Sequence, residues 1–503
     1  MLIHRRQLIK ETYSEMSILK SEKRDLFEKL LFALAFAVAA FHTLLAAFRY
    51  IIPYTKFITP LRWAGLGGGV LVVLYLFISV CFSSSFLSRL KAIFRRLCTP
   101  EQVLLLLMLL WFVLSLLFNQ INGSYPYLQA GDWLLFDFVV CTCFLFPLPS
   151  LLRRNPSKQW TELLIHLVVI TYSVFTIVCL WHIFRLEVLD FPSGEQGGLT
   201  ENFELVLGLH YNLTGMIAAT MFCLCVIMIF TQELSVKILY AVFALSQLVV
   251  IYLCNSRTVF VGVLAFVSVT SFFFAWNQLQ KQKLLLRLFL TLLVCGFITA
   301  LYWFGRSEMF SLFDKITHFR AALSEGLRFS ESQWFTTKLG MHSASGNLPA
   351  LLAKSNAAGA RRLTSLSHRT EVWAAALKVM FSSPQRFFFG VTLFDVPEAI
   401  RDIGGYQREL VAHAHNIILQ IGISMGVPAM LMFLAFLASV AVRSIRILIG
   451  KSGEFLKHSY VIPTSVLCFV TINMAEAYLI GYFSVMGCFF FLLCGWIVTI
   501  DKK

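Results

Sequence analysis

Charge is the scarcest property of this chain. Asp, Glu, Lys and Arg make up 14% of 503 residues, against roughly a quarter in soluble globular proteins. With 58% hydrophobic residues, the chain has more apolar surface than its own interior can hide, which excludes a soluble enzyme. Strict alternation of apolar and polar residues is also missing. The apolar runs are continuous, which excludes a membrane β-barrel. The twelve cysteines show no metal-ligand spacing. Cys141/Cys143 and Cys223/Cys225 sit inside apolar runs as small packing residues, and residues 305–414 contain no cysteine, so no disulfide framework is implied. Residues 1–27 are too charged for a signal peptide, and no small-residue cleavage pattern follows the first apolar run.

What is present is a series of apolar windows, each about 20 residues and long enough to cross a hydrocarbon core of roughly 30 Å. The sequence predicts an all-α polytopic membrane protein of about twelve transmembrane helices. They fall near 28–48, 64–87, 102–118, 132–149, 161–184, 205–230, 236–254, 257–275, 284–304, 415–442, 460–478 and 482–500. The resulting organisation is a cytoplasmic N-terminal segment (1–27), helices 1–9 (28–304), one large extracytoplasmic loop (305–414), helices 10–12 (415–500) and a cytoplasmic tail (501–503). In the N-terminal segment Leu2, Ile3, Leu8, Ile9, Ile18 and Leu19 alternate with Arg5, Arg6, Lys10, Lys20, Lys23 and Arg24. This reads either as an interfacial helix on an anionic leaflet or as a charged topogenic tail.

The net charge of +15 follows from topology rather than nucleic-acid binding. With the N-terminus inside, inner loops carry Arg89, Lys91, Arg95 and Arg96; Arg153, Arg154 and Lys158; Lys281, Lys283 and Arg287; and Arg443, Arg446, Lys451 and Lys457. Short outer loops carry few cations, as the positive-inside rule requires. Residues 305–414 depart from this with thirteen Lys/Arg against nine acids. Long loops translocate regardless of charge, and surplus cations on an outer face suit an anionic ligand. Within the loop, 340–367 is rich in Ser, Ala, Gly and Asn, and short helices are expected near 310–324 and 368–382. Ser367 is placed as an N-cap, Pro384 as a stop, and Phe387-Phe388-Phe389-Gly390 as a surface anchor.

Three groups of polar residues fall on the outer side. Asn255-Ser256-Arg257-Thr258 opens the eighth span, His368-Arg369-Thr370-Glu371-Val372-Trp373 opens the loop helix, and His413-Ala414-His415-Asn416 opens the tenth span. Each has an ordinary reading. An arginine at a helix entrance snorkels to headgroups, and an interfacial histidine is commonly a hydrogen-bonded packing residue. His-x-His without a nearby Cys or carboxylate is weak as a metal site. Together they are more specific. Two arginines bind a pyrophosphate by charge-assisted hydrogen bonds, and a histidine can take a proton from a hydroxyl near neutral pH.

On these residues the chain resembles the bacterial O-antigen ligase/polymerase family of lipid-linked glycan transferases. The matching pieces are Ser256-Arg257-Thr258; Arg369 with Trp373, then Pro384 and Gly390; His415-Asn416-x-x-Leu419 with Gly422 and Gly426; and, more weakly, Gly208-Leu209-His210-Tyr211-Asn212. The resemblance implies a type C glycosyltransferase-like fold and glycan transfer from undecaprenyl pyrophosphate, inverting and with no metal or other cofactor. It implies that Arg257 and Arg369 bind the donor pyrophosphate and that His415 is catalytic, with His413, Asn416, His210, Asn212 and Trp373 in support. The partners expected are the undecaprenyl-pyrophosphate-linked glycan, lipid A core or another glycan acceptor, and the bilayer, with no nucleic acid. The expected location is the bacterial cytoplasmic membrane, with the site facing the periplasm or exterior. Here His210-Tyr211-Asn212 lacks the proline often found before that asparagine. The first outer loop, 49–62, has no Asp or Glu, which agrees with metal independence. The other outer carboxylates near spans are Asp132, Asp190, Glu201 and Glu204.

A repeat-unit polymerase and a protein O-oligosaccharyltransferase share these motifs and stay open as alternatives. A transporter is a third class, suggested by the span count. It would show ionisable residues buried mid-span; Glu476 and Asp137 are the main examples here.

Overall fold

The computed structural model describes residues 36–48, 99–121, 137–147, 156–184, 189–190, 196–199, 205–207, 211–326, 369–392, 395–406, 413–449, 460–479 and 484–501. Its helices are α1 Phe36–Phe48, α2 Pro100–Ile121, α3 Pro156–Phe184, α4 Tyr211–Thr231, α5 Leu234–Leu253, α6 Arg257–Gln278, α7 Leu284–Gly326, α8 Arg369–Met380, α9 Pro384–Phe389, α10 Val396–Asp402, α11 Ile417–Met425, α12 Val427–Leu448, α13 Val461–Asn473 and α14 Val485–Asp501. Among the described residues, seven helices are long and apolar enough to cross a membrane (in α2 to α7 and α12), and α1, α13 and most of α14 are shorter apolar helices. The chain is a multi-pass helical membrane protein. Of the twelve expected spans, 64–87 lies outside the described residues, and 132–149 is described only over 137–147, where a π-helix occupies Val140–Leu145.

Four segments differ from the pattern read in the sequence. Residues 205–207 are not the start of a span. They form β3 of a small antiparallel sheet, β1 Leu189–Asp190, β2 Gln196–Leu199 and β3 Leu205–Leu207, and α4 begins only at Tyr211. Helix α7 runs unbroken through residue 304 to Gly326, with no proline between Leu284 and Gly326 to interrupt it. The segment 415–442 is two helices, because Gly426 has φ +89° and a Cβ there would lie 2.0 Å from the Phe388 carbonyl oxygen. Helix α13 stops at Asn473, five residues before the expected end.

The helices differ in how much of their surface other helices cover. From Val485 to Ile500, α14 is buried throughout, as befits a helix that is apolar all round and enclosed by other helices. Gly495 lets it press on the end of the π-helix, where a Cβ would come 1.9 Å from the Phe146 carbonyl oxygen. Around it pack α4, α12 and α13. At the rim, α7 turns Leu285, Phe289, Phe297 and Phe304 outward, each more than 60% exposed. Polar pairs are buried among the spans: Arg443 Nε donates to Glu101 Oε1 at 2.7 Å and ties α12 to α2, and His42 Nε2 of α1 lies 3.1 Å from Asp137 Oδ1. A second apolar cluster (Val372, Ala376, Met380, Val396, Ile400, Ile423) seats α8 and α10 on α11.

Candidate functional site

The centre of the site is a residue that the sequence reading set apart as a mid-span acid. Glu476 lies beyond the end of α13, in a turn. Asn473 makes that turn: its Oδ1 accepts from the Tyr478 and Leu479 amides at 2.7 and 3.0 Å. This folds the chain back and buries the Glu476 carboxylate to 1% exposure. Oε1 accepts from Arg369 Nη2 at 2.6 Å and from Asn212 Nδ2 at 3.3 Å. Oε2 lies 3.2 Å from His415 Nδ1 and 3.9 Å from His413 Nε2. Burial alone would raise the carboxyl pKa, but the His415 hydrogen bond and the charges of Arg369, His415 and His413 outweigh it and hold the group below its ordinary range.

Each partner is delivered by the start of an element. Arg369 is the first residue of α8, and one turn on Trp373 Nε1 donates to the His415 carbonyl at 3.2 Å. Asn212 is near the start of α4. His415 precedes α11 with φ +48°, a left-handed conformation that L-residues rarely adopt. Asn416 is the N-cap of that helix: its Oδ1 accepts from the Ile418 and Leu419 amides at 3.0 and 3.2 Å, and its Nδ2 donates to the Met474 carbonyl at 3.0 Å. Gln420 Oε1 accepts from the Ala414 amide at 2.7 Å. The His-Asn motif is therefore a capped helix entrance that throws one histidine towards Glu476.

The hydrogen bonds assign the histidine protons. The His415 amide donates to His413 Nδ1 at 3.2 Å, so His413 carries its proton on Nε2, 3.2 Å from the Tyr478 hydroxyl. An ionised carboxylate only accepts, so His415 bears a proton on Nδ1 and presents Nε2 as the basic nitrogen. The His415 side chain is 28% exposed.

Arg257 opens α6, as the sequence predicts, after Asn255 with φ +54°. It is linked to the centre through its neighbour: Ser256 Oγ donates to Asn212 Oδ1 at 2.7 Å, and Asn212 donates on to Glu476. Arg306 hydrogen-bonds Asn255 Oδ1 from α7 and lies over the Phe260 ring, 5.0 Å from its centroid. The structure thus gathers Arg369, Trp373, His413, His415, Asn416 and Asn212 around Glu476, with Arg257 two hydrogen bonds away. His210 lies outside the described residues, as does Ser367. Glu476 carried a signal in the sequence, a lone acid in an apolar run, but its place beside the arginines and histidines did not.

His413, His415 and Glu476 offer donor atoms within 4.8 Å of one another, a spacing a metal ion could use. Arg369 argues against that use, because its guanidinium sits on Glu476 Oε1 and would repel a dication. A guanidinium-bound carboxylate that orients an imidazole can instead support a general base beside a cation.

Fold and site together define a polytopic membrane protein with a buried Arg–Glu–His cluster at the mouth of its helices. Residues 241–434 match the family model described as O-antigen ligase. The family resemblance drawn from the motifs is borne out. The matched segment includes Arg257, Arg369, Trp373, His413, His415 and Asn416, whereas Asn212 and Glu476 lie outside it. No curated protein matches the chain. The family points to an enzyme of glycan transfer, of ligase or polymerase type, acting on lipid-linked glycan in a membrane.

Proposed function

We propose that this protein moves a glycan from undecaprenyl pyrophosphate to a hydroxyl acceptor on the outer face of the bacterial cytoplasmic membrane, as an O-antigen ligase does with lipid A core. The observation that carries this reading is the Glu476–His415 contact at 3.2 Å beside the Arg369–Glu476 pair at 2.6 Å. It puts a base and an anion-binding cation on one carboxylate. In the reaction His415 Nε2 accepts the proton of the acceptor hydroxyl, and that oxygen attacks the anomeric carbon. The bond from this carbon to the pyrophosphate oxygen breaks, and undecaprenyl pyrophosphate leaves with the electron pair. Attack opposite the leaving group inverts the anomeric centre. Arg257 and Arg369 offset the charge that grows on the leaving pyrophosphate. Glu476 keeps Nδ1 of His415 protonated and holds Arg369 in place, so the base and the cation cannot drift apart. No step requires a metal.

The test is transfer by purified protein in lipid, with product scored on lipid A core, on a second lipid-linked glycan and on protein. Product on the second or third acceptor identifies a repeat-unit polymerase or a protein O-oligosaccharyltransferase. Arg257→Ala, Arg369→Ala and His415→Ala should each abolish transfer in folded protein, and Arg→Lys should restore little where paired N–H donors matter. Full activity in His415→Ala would remove the proposed base. Movement of the lipid-linked glycan across the membrane, with no transfer to any acceptor, would indicate a transporter instead.

A further inference from the structure

The expectation for residues 305–414 is a loop wholly outside the membrane, yet part of it is fastened to the middle of a spanning helix. Trp111 stands about 16 Å along α2 from Pro100, and Ser115 about 22 Å, at 1.5 Å per residue. A hydrocarbon core is about 30 Å thick. At these depths Trp111 Nε1 donates to the carbonyls of Phe388 (3.0 Å) and Met425 (3.1 Å), and Ser115 Oγ donates to the Phe389 carbonyl. Asn119 Nδ2 reaches the same carbonyl at 3.4 Å. The Phe389 ring stacks between Trp111 and Phe118, with centroids 5.6 and 4.2 Å away.

The backbone groups at this contact are paired as membrane depth demands. Irregular backbone persists at membrane depth only where protein satisfies its polar groups. The break at Gly426 frees carbonyls at the end of α11. Val391 and Thr392 donate to two of them, Ile423 and Ser424, at 2.8 and 3.1 Å. Gly390 makes this approach possible, since a Cβ there would lie 2.4 Å from the Ser424 carbonyl carbon. The last two carbonyls of α9, Phe388 and Phe389, are taken up by α2. The broken helix and the dipping segment thus satisfy each other.

We infer that Phe381–Thr392 is a re-entrant segment entering the half of the membrane nearer Asn119, with Phe381 and Phe388 facing lipid acyl chains. Phe381 is 62% exposed and Phe388 47%, and Phe387 joins them, its ring centroid 5.7 and 5.1 Å from theirs. The flanking helices are lipid-facing on the same criterion: Leu110 and Leu114 of α2 and Leu431 of α12 are exposed large apolar residues. Arg386 is compatible with this depth, because its guanidinium folds back on Ser382 Oγ at 2.9 Å and its stem can reach the interface by snorkelling. The inference does not depend on the proposed reaction.

The experiment places p-trifluoromethylphenylalanine, one position at a time, at 381, 388, 114 and 401 in the full chain in lipid nanodiscs. Position 114 is the lipid-facing control, and position 401 is the aqueous one, its arginine side chain being 48% exposed beside Asp402. Fluorine relaxation is read with doxyl-labelled phospholipid and with a water-soluble gadolinium chelate. Positions 381 and 388 should follow 114, broadened severalfold more by the lipid agent than by the aqueous one. Either position following 401 overturns the assignment. At 381 and 388 the probe replaces a phenylalanine by a close analogue, and at 114 and 401 it replaces an exposed side chain; thermal melting of each sample checks that the fold is kept.

Discussion

Removing the charge of Glu476 while keeping its shape is the sharpest perturbation of this site. In Glu476→Gln the amide oxygen can still accept one hydrogen bond, but the Arg369 guanidinium, 2.6 Å away and only 15% exposed, loses its counter-ion. Two unit charges about 4 Å apart interact by roughly 4 kcal/mol at an effective permittivity near 20. Stripping one member from a buried pair costs about 3–5 kcal/mol because the other is left uncompensated. With one hydrogen bond retained, a loss of about 3 kcal/mol is expected, a drop of several degrees in melting temperature in nanodiscs. If the same organisation is lost from the transition state, transfer slows roughly a hundredfold. Glu476→Asp keeps the charge on a shorter arm and should fall between. The pH dependence supplies a second signature. Glu476 is held below its ordinary value of 4.5, so its contribution to stability is present above about pH 4.5 and fades as pH falls through the lower folded value. The gap between wild type and Glu476→Gln should narrow as pH falls below about 4.5. Wild-type melting and wild-type transfer in Glu476→Gln would refute the placement of the carboxylate at the centre of the site.

Other perturbations read other parts of the structure. Gly426→Ala forces a Cβ against the Phe388 carbonyl at a positive φ; a loss of about 3 kcal/mol or more is expected, seen as a lower melting temperature or loss of folded yield. Trp373→Phe deletes the donor to the His415 carbonyl; about 1 kcal/mol should appear as a severalfold slower transfer with donor affinity little changed. Asp395 is buried, which pushes its carboxyl up to about 6, with Glu398 adding to the shift and the Thr392 hydroxyl opposing it. Here the folded state binds the proton more tightly than the unfolded one, so stability falls as pH rises from about 4 to 6 and levels off above. Asp395→Asn should remove that decline between pH 5 and 7, where Glu476 stays ionised, in melting curves taken across the range.

How far the site could be read from sequence differs residue by residue. Arg257, Arg369 and His415 were legible because each opens an element, and element starts carry local signals such as the Asn416 cap and the turn at Asn255. Asn416, expected in a supporting place, caps α11 and anchors that helix to the Met474 carbonyl. Glu476 was illegible as a site residue, because hydropathy continues smoothly past Asn473 and only a side-chain hydrogen bond ends the helix there. The break at Gly426 was hidden in the same way. Hydropathy counts apolar residues and is blind to a positive φ. The Phe387–Gly390 run was read as a surface anchor, but Phe389 is committed to α2, leaving Phe388 as the exposed ring.

Composition alone determined that this chain lives in lipid and is helical, because the cost of burying unpaired backbone in hydrocarbon leaves a continuous apolar run no other form. The local motifs determined which residues open helices. Tertiary structure alone decided what those residues meet. Asn212, Arg369, His415 and Glu476 come from four elements, and the Glu476 carboxylate, nearly sealed from solvent, draws them together because a charge so buried must be answered by partners.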